Sequence, residues 1–216
     1  MILGEFSWYN FGGAVALFSV GFLIAIITKL IRYFKNRSKL YGHDKIDFTK
    51  QSAIDFRLIE ILSEIRIAYG PSRALVFRFH NNINYFDGSQ IIKMSCSHES
   101  TNRGVSHEID NMRDMLCSMI PKIIEGISMN SQKINYVDDL GDGYCKGMFR
   151  GQSVHAFVLH PLYKTIMGNK TIIGAVMLQY LSADDIPKED GTDVPITEVF
   201  DISKYIELIE TEIIRG

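Results

Sequence analysis

Cysteine is scarce in this chain. Its three, Cys96, Cys117 and Cys145, are an odd number without CxxC spacing, so neither a disulfide framework nor a zinc site is encoded. One disulfide with a spare thiol stays open if the domain faces an oxidising compartment. Catalytic sets are missing as well. Gly151-Gln152-Ser153-Val154-His155 is not the GxSxG elbow, because His stands in place of the second Gly. Asp138, Asp139 and Asp142 precede Gly143 much as in a calcium loop, but Leu140 and Phe149 take ligand positions of that motif. His80, His98, His107, His155 and His160 show neither i,i+4 nor HxH pairing, so a metal site would need them to converge in space. The formal net charge is -2, and the basic residues gather behind the N-terminus, leaving an acidic remainder that argues against nucleic acid as a partner. No catalytic residue, metal ligand or cofactor is expected, and no enzymatic activity.

Charge is also absent from Phe6 to Thr28, an apolar run of 23 residues between Glu5 and Lys29. As a helix it spans roughly 30 Å, the hydrocarbon thickness of a bilayer. The expectation is one transmembrane helix with its interfacial end over residues 6–34, behind a short tail at 1–5. A cleavable signal would carry Lys or Arg before a shorter apolar stretch, and neither is present. Trp8 and Tyr9 at one end and Tyr33 and Phe34 at the other suit the two interfaces. Lys29, Arg32, Lys35, Arg37 and Lys39 follow the run without an acidic partner, as topology determinants and headgroup contacts. By the positive-inside rule they place the following domain in the cytoplasm. Projected on a helix, Gly12, Ala16 and Ser19 share one face, and Ala14, Gly21, Ala25 and Thr28 the opposite one. Two small-residue faces let each helix contact two neighbours, as homo-oligomerisation in a lipid bilayer requires.

Behind a basic connector at 35–51, residues 52–216 are enough for one domain. Ser52 to Tyr69 has Ile54, Leu58, Ile61, Leu62, Ile65 and Ala68 at helical spacing and stops at Gly70-Pro71. Arg73 to Phe79 and Ile91 to His98 read as strands flanking the loop HNNINYFDGS. Val105 to Ile127 is helical in character, with Pro121 as a kink or break. Lys133 to Val137 is a short strand, and Asp138 to Gly151 a Gly-rich loop. Val154 to Tyr163 and Lys170 to Leu181 form a long hairpin, and Ile196 to Ile214 a last helix. The fold class expected is α+β, an antiparallel sheet with packed helices.

That order of elements, with a helix leading into RALVFRFHN and HPLY…IIGAVMLQYL before a last helix, resembles the GAF fold over about residues 52–216. The GAF-like reading puts a cup between the sheet and the loops HNNINYFDGS and DDLGDGYCKG. Its candidate residues, as a pocket or partner surface, are His80, Tyr85, Phe86, Cys96, His98 and Tyr144. Met94, Cys96 and His98 alternate onto one face of their strand, although a satisfied strand histidine and a buried cysteine also explain the pattern.

The length, the single N-terminal span before one α/β domain, and the run NINYF are similar to the holins of the T-even type phages. That resemblance implies a protein of the host inner membrane that oligomerises, opens a timed lesion and releases an endolysin. Its soluble domain would be periplasmic and would answer to an antiholin or another regulator, against the side given by the charge bias. The holin is the leading expectation, and a membrane-tethered GAF-like sensor for a small ligand or partner protein is the alternative.

Overall fold

The computed structural model describes residues 24–32, 47–130, 133–188 and 201–215. The chain divides into two units, Met1–Asp47 and Phe48–Gly216. In the first, residues 24–32 are helical and exposed, with Ala25, Lys29 and Arg32 among them. Gly12, Ala14, Ala16, Ser19, Gly21, Lys35, Arg37 and Lys39 lie outside the described residues. The expected span is corrected on this point: among the described residues no helix is long and apolar enough to cross a membrane. Of the expected span, residues 6–23 lie outside the described residues.

The second unit opens with α1, Phe48–Tyr69, which buries Ile54, Leu58, Ile61, Leu62 and Ile65 along one face. It stops where Gly70, at φ +71, donates its N–H to Arg66 O at 3.0 Å ahead of Pro71. There follow β1 (Arg73–Asn84), β2 (Gln90–Thr101), β3 (Met115–Leu116), α2 (Pro121–Ser128), β4 (Asn135–Tyr136), α3 (Tyr144–Gly151), β5 (Ala156–Ile166), β6 (Asn169–Tyr180) and α4 (Ser203–Arg215). The sheet has six strands in the order β3-β2-β1-β6-β5-β4, and every pairing in it is antiparallel. The fold is α+β, an antiparallel sheet with helices packed on both faces.

The sheet separates two cores. Ala74 and Val76 face α1 and α4, where Leu58, Ile61, Ile209 and Ile213 pack against Val158, Val176 and Leu178. Leu75 and Phe77 face α2 and α3, where Ile123, Ile127, Cys145 and Phe149 pack against Phe157, Leu159 and Met177. Strand alternation thus sends neighbouring residues of β1 into different cores.

Two expectations of local structure are corrected. Residues 105–114 form no helix beyond one turn, where Met112 N donates to Glu108 O at 3.2 Å, because the chain then joins β2: Met112 O accepts from Cys96 N at 2.8 Å and Asp114 N donates to Ser95 Oγ at 2.7 Å. Glu99 anchors the start of the turn, both of its oxygens accepting from Glu108 N at 3.0 Å and Oε2 from Ile109 N at 3.1 Å. The helix begins only at Pro121, in the first turn, where a missing N–H costs nothing. The Gly-rich loop is interrupted by α3, whose Cys145 and Phe149, four apart, are both buried. Lys146 and Arg150 on its other side reach Asp142 and Asp138 at 3.4 and 2.9 Å. The last helix starts at Ser203, later than expected, with Asp201 Oδ1 accepting the Ser203 N–H at 3.2 Å; residues 189–200 lie outside the described residues.

Candidate functional site

Strands β1 and β6 pair from Arg73 and Gln179 as far as Arg78 and Gly174, and no further. Past that point each follows its own hairpin: β1 stays with β2 to Asn84 and Gln90, and β6 with β5 to Asn169 and Ile166. Gly174 stands where they part, so close to β1 that a Cβ there would lie 2.0 Å from Phe77 O. Only glycine fits that approach.

On the α2 side of the parted strands lies a cleft of about 520 Å³. Phe79, Ile92, Ile124, Ile127, Ile172 and Cys117 supply its apolar walls, and His80, Asn81, Gln90, Ser128 and Thr171 its polar groups. No Lys, Arg, Asp or Glu is in the lining. The Cys117 thiol is half-buried, and burial raises its pKa above the ordinary value.

His80 belongs to the lining, with Nε2 2.8 Å from Ser95 Oγ. The other five residues picked from sequence lie elsewhere. Tyr85 and Phe86 form the exposed tip of the β1–β2 turn, which Gly88 at φ +83 and the Asp87 carboxylate, accepting from Ser89 N at 2.9 Å, hold in shape. Tyr144 is exposed at the start of α3. Cys96 and His98 do not share a face: Val76 pairs with His98 but Phe77 with Cys96, so Ser97 is a bulge that turns the strand over. Cys96 therefore enters the core under α2 and α3, where burial drives its thiol pKa far up. His98 faces α1 instead, with Nε2 3.1 Å from Asp55 Oδ1. Burial lowers the His98 pKa, against the opposing pull of Asp55.

The cleft residues that sequence reasoning passed over come from five separate segments. Their signal was weak: Ile124 and Ile127 fall in an ordinary helical run, and Thr171 and Ile172 in a hairpin arm. Among the described residues no group of three or more His, Cys, Asp or Glu side chains could hold a metal ion.

A second set of polar groups sits at the far end of β1. The Arg73 side chain, 1% exposed, lies 3.9 Å from Glu99 Oε1 and 3.6 Å from Glu108 Oε1. It donates to Ser106 O and Ser106 Oγ at 2.9 Å, and to Gln152 O and Gln179 Oε1 at 3.2 Å. Burial lowers its pKa while Glu108 and Glu99 raise it. Every contact is internal, so the cluster ties the 102–114 segment to the sheet and presents nothing to a ligand.

No family model matches the chain, and no curated protein matches it. Among solved structures it is similar to the blue-light absorbing form of the PixJ GAF domain of Thermosynechococcus elongatus, at 14% identity over 79% of this chain and 89% of that one, with a TM-score of 0.48. It is similar to the GAF domain/HD domain protein of Geobacter sulfurreducens at 10% identity, over 75% of this chain and 90% of that one, with a TM-score of 0.48. It is also similar to the phycoerythrobilin-bound GAF domain of a cyanobacterial phytochrome, at 12% identity over 74% and 82%, with a TM-score of 0.46. The expectation of a phage holin that forms pores and lyses the host is corrected: none of these structures is a phage or lysis protein, and no described helix can cross a membrane.

Proposed function

We propose that the Phe48–Gly216 unit is a GAF-like sensor module that takes up a small, uncharged and largely apolar molecule between α2 and the parted β1 and β6. One observation carries this reading: the cleft of about 520 Å³ is walled by aliphatic and aromatic side chains, with five polar residues and no ionic side chain. A phosphate or carboxylate entering it would meet His80 as its one candidate counter-ion, an imidazole already engaged by Ser95 Oγ at 2.8 Å and 3.8 Å from Asp114 Oδ1. A neutral planar or branched molecule would bury its body on Phe79, Ile124 and Ile172, and turn a donor or acceptor edge to Asn81, Gln90 or Thr171. The reading is binding without turnover, and any output passes to a partner through the sheet.

The test is thermal unfolding of the full chain in mild detergent against two sets of small molecules, one neutral and apolar, the other phosphate-bearing. Ligand at roughly a hundred times its Kd stabilises by about 2.7 kcal/mol, a shift of several degrees. The expected result is a shift from a neutral compound that Ile124→Trp abolishes while leaving the circular dichroism unchanged. A shift confined to the phosphate-bearing set, or one that Ile124→Trp leaves intact, would overturn the proposal.

A further inference from the structure

Helix α1 carries a second apolar stripe, on the side away from its own core. Phe48, Phe56, Ile59 and Ile67 are 78, 64, 44 and 79% exposed. With Ser52 and Ser63 they occupy an arc of about 100°. Their spacing is regular: Phe48, Ser52 and Phe56 recur eleven residues on as Ile59, Ser63 and Ile67. Eleven residues make almost three whole turns, so the stripe stays straight along the helix. Ser52 is exposed, whereas Ser63 is half-buried and its hydroxyl meets Ile59 O and Ser100 Oγ at 2.8 and 2.9 Å. Four exposed large apolar side chains on one face of one helix mark an interaction surface.

The same six positions are mirror images about the midpoint between Arg57 and Leu58. A two-fold axis there, relating antiparallel copies of α1, sets Phe48 against the partner's Ile67, Ser52 against the partner's Ser63, and Phe56 against the partner's Ile59. Large residues then meet large ones, and the serines meet at the points of closest backbone approach. Charge agrees with this arrangement. One flank of the stripe carries Arg57, Glu60 and Glu64, with side chains 42, 44 and 50% exposed, and Arg57 pairs with Glu60 and Glu64 of its own chain at 3.0 and 3.8 Å. Antiparallel pairing brings that flank against itself, with Arg57 about 3 Å along the axis from the partner's Glu60, so the pairs of the two chains join into one network of alternating charge.

We infer that the outer face of α1 is a homodimer interface, closed by a second copy of this chain in antiparallel register. It is isologous, as a two-fold contact must be, and stands independently of the cleft. The test uses the full chain in mild detergent. Light scattering is expected to give the mass of a dimer, halved by Phe56→Glu with unchanged circular dichroism, since Phe56 lies outside the core. Ser52→Cys and Ser63→Cys chains, co-expressed with different tags and oxidised gently, are expected to cross-link to each other and not to themselves. A monomeric native chain, or a dimer that survives Phe56→Glu, would overturn the assignment. Self-cross-linking of Ser52→Cys would overturn the antiparallel register.

Discussion

Arg73 Nε and Glu99 Oε1 stand 3.9 Å apart, and each of their side chains is 1% exposed. Removing Glu99 leaves Arg73 with Glu108, 3.6 Å away, as its remaining buried carboxylate, and costs on the order of 3 kcal/mol. Glu99→Ala should therefore lower the denaturant midpoint sharply. It should also open the 102–114 segment to proteases, because the N–H groups of Glu108 and Ile109 lose their acceptor. Arg73→Met combined with Glu99→Gln and Glu108→Gln should lose much less than the three single changes summed, since none of the three is then ionic. Equal and additive losses would show that the cluster does not act as a unit.

Acid should destabilise the domain through His160. The residue is 2% exposed in the core under α1 and α4, and its Nε2 has no hydrogen-bond partner among the described residues. Burial lowers its pKa to about 4 from the ordinary 6.5. Between those values the unfolded chain binds the proton and the folded one does not. Stability is therefore full above about pH 6.5, falls as the pH drops, and levels off below about 4, for a loss on the order of 3 kcal/mol. His98, whose pKa is also lowered by burial, adds in the same direction. The melting temperature of His160→Leu, followed from pH 7 to pH 4, should fall less steeply than that of the native chain. Identical slopes would rule His160 out as a source of the acid sensitivity.

Gly174→Ala should be among the most damaging single-methyl additions in the chain. The added carbon would fall 2.0 Å from Phe77 O, a backbone atom that cannot swing away. Either β1 and β6 separate further up the sheet or the ladder re-registers, at a cost on the order of 4 kcal/mol. Gly126→Ala is the contrast, since its Cβ would meet only the Leu159 side chain, at 3.2 Å. Chemical denaturation of the two variants should separate them clearly; comparable midpoints would mean that the strands part without help from Gly174.

The three thiols should label in a fixed order. Cys117 is half-buried on the cleft wall, whereas Cys96 and Cys145 are buried, with Cys145 raised to about 11 and Cys96 further still. At mildly alkaline pH a maleimide should take Cys117 first, and the other two only on unfolding. A compound occupying the cleft should slow the Cys117 reaction alone. Peptide mapping reads the order directly, and early labelling of Cys96 would mean that the core beneath α2 opens readily.

Much of the sheet was legible, for identifiable reasons. The run at 73–79 and the hairpin through Met167 and Gly168 combine strand-forming residues with clear turn chemistry, and Gly70-Pro71 marks the end of α1. What escaped depends on partners distant in the chain. Ile109, Met112, Leu116, Met119 and Ile123 have helical spacing, yet β2 claims Met112 O and Asp114 N and the segment folds irregularly. The bulge at Ser97 exchanges the faces of Cys96 and His98, and nothing in SCSH announces it. The cleft was largely illegible because it arises where two hairpins separate, a property of the Gly174 contact and not of any one segment. Only His80 among the chosen pocket residues reaches it.

Val76 and Phe77 are adjacent in the chain, yet one is buried with α1 and the other with α2. Each half packs its own helices against one face of a shared sheet. That leaves a division of labour open to selection. The chamber beneath α2, where the cleft lies, can be recarved for a different guest while the chamber beneath α1 goes on holding the chain folded.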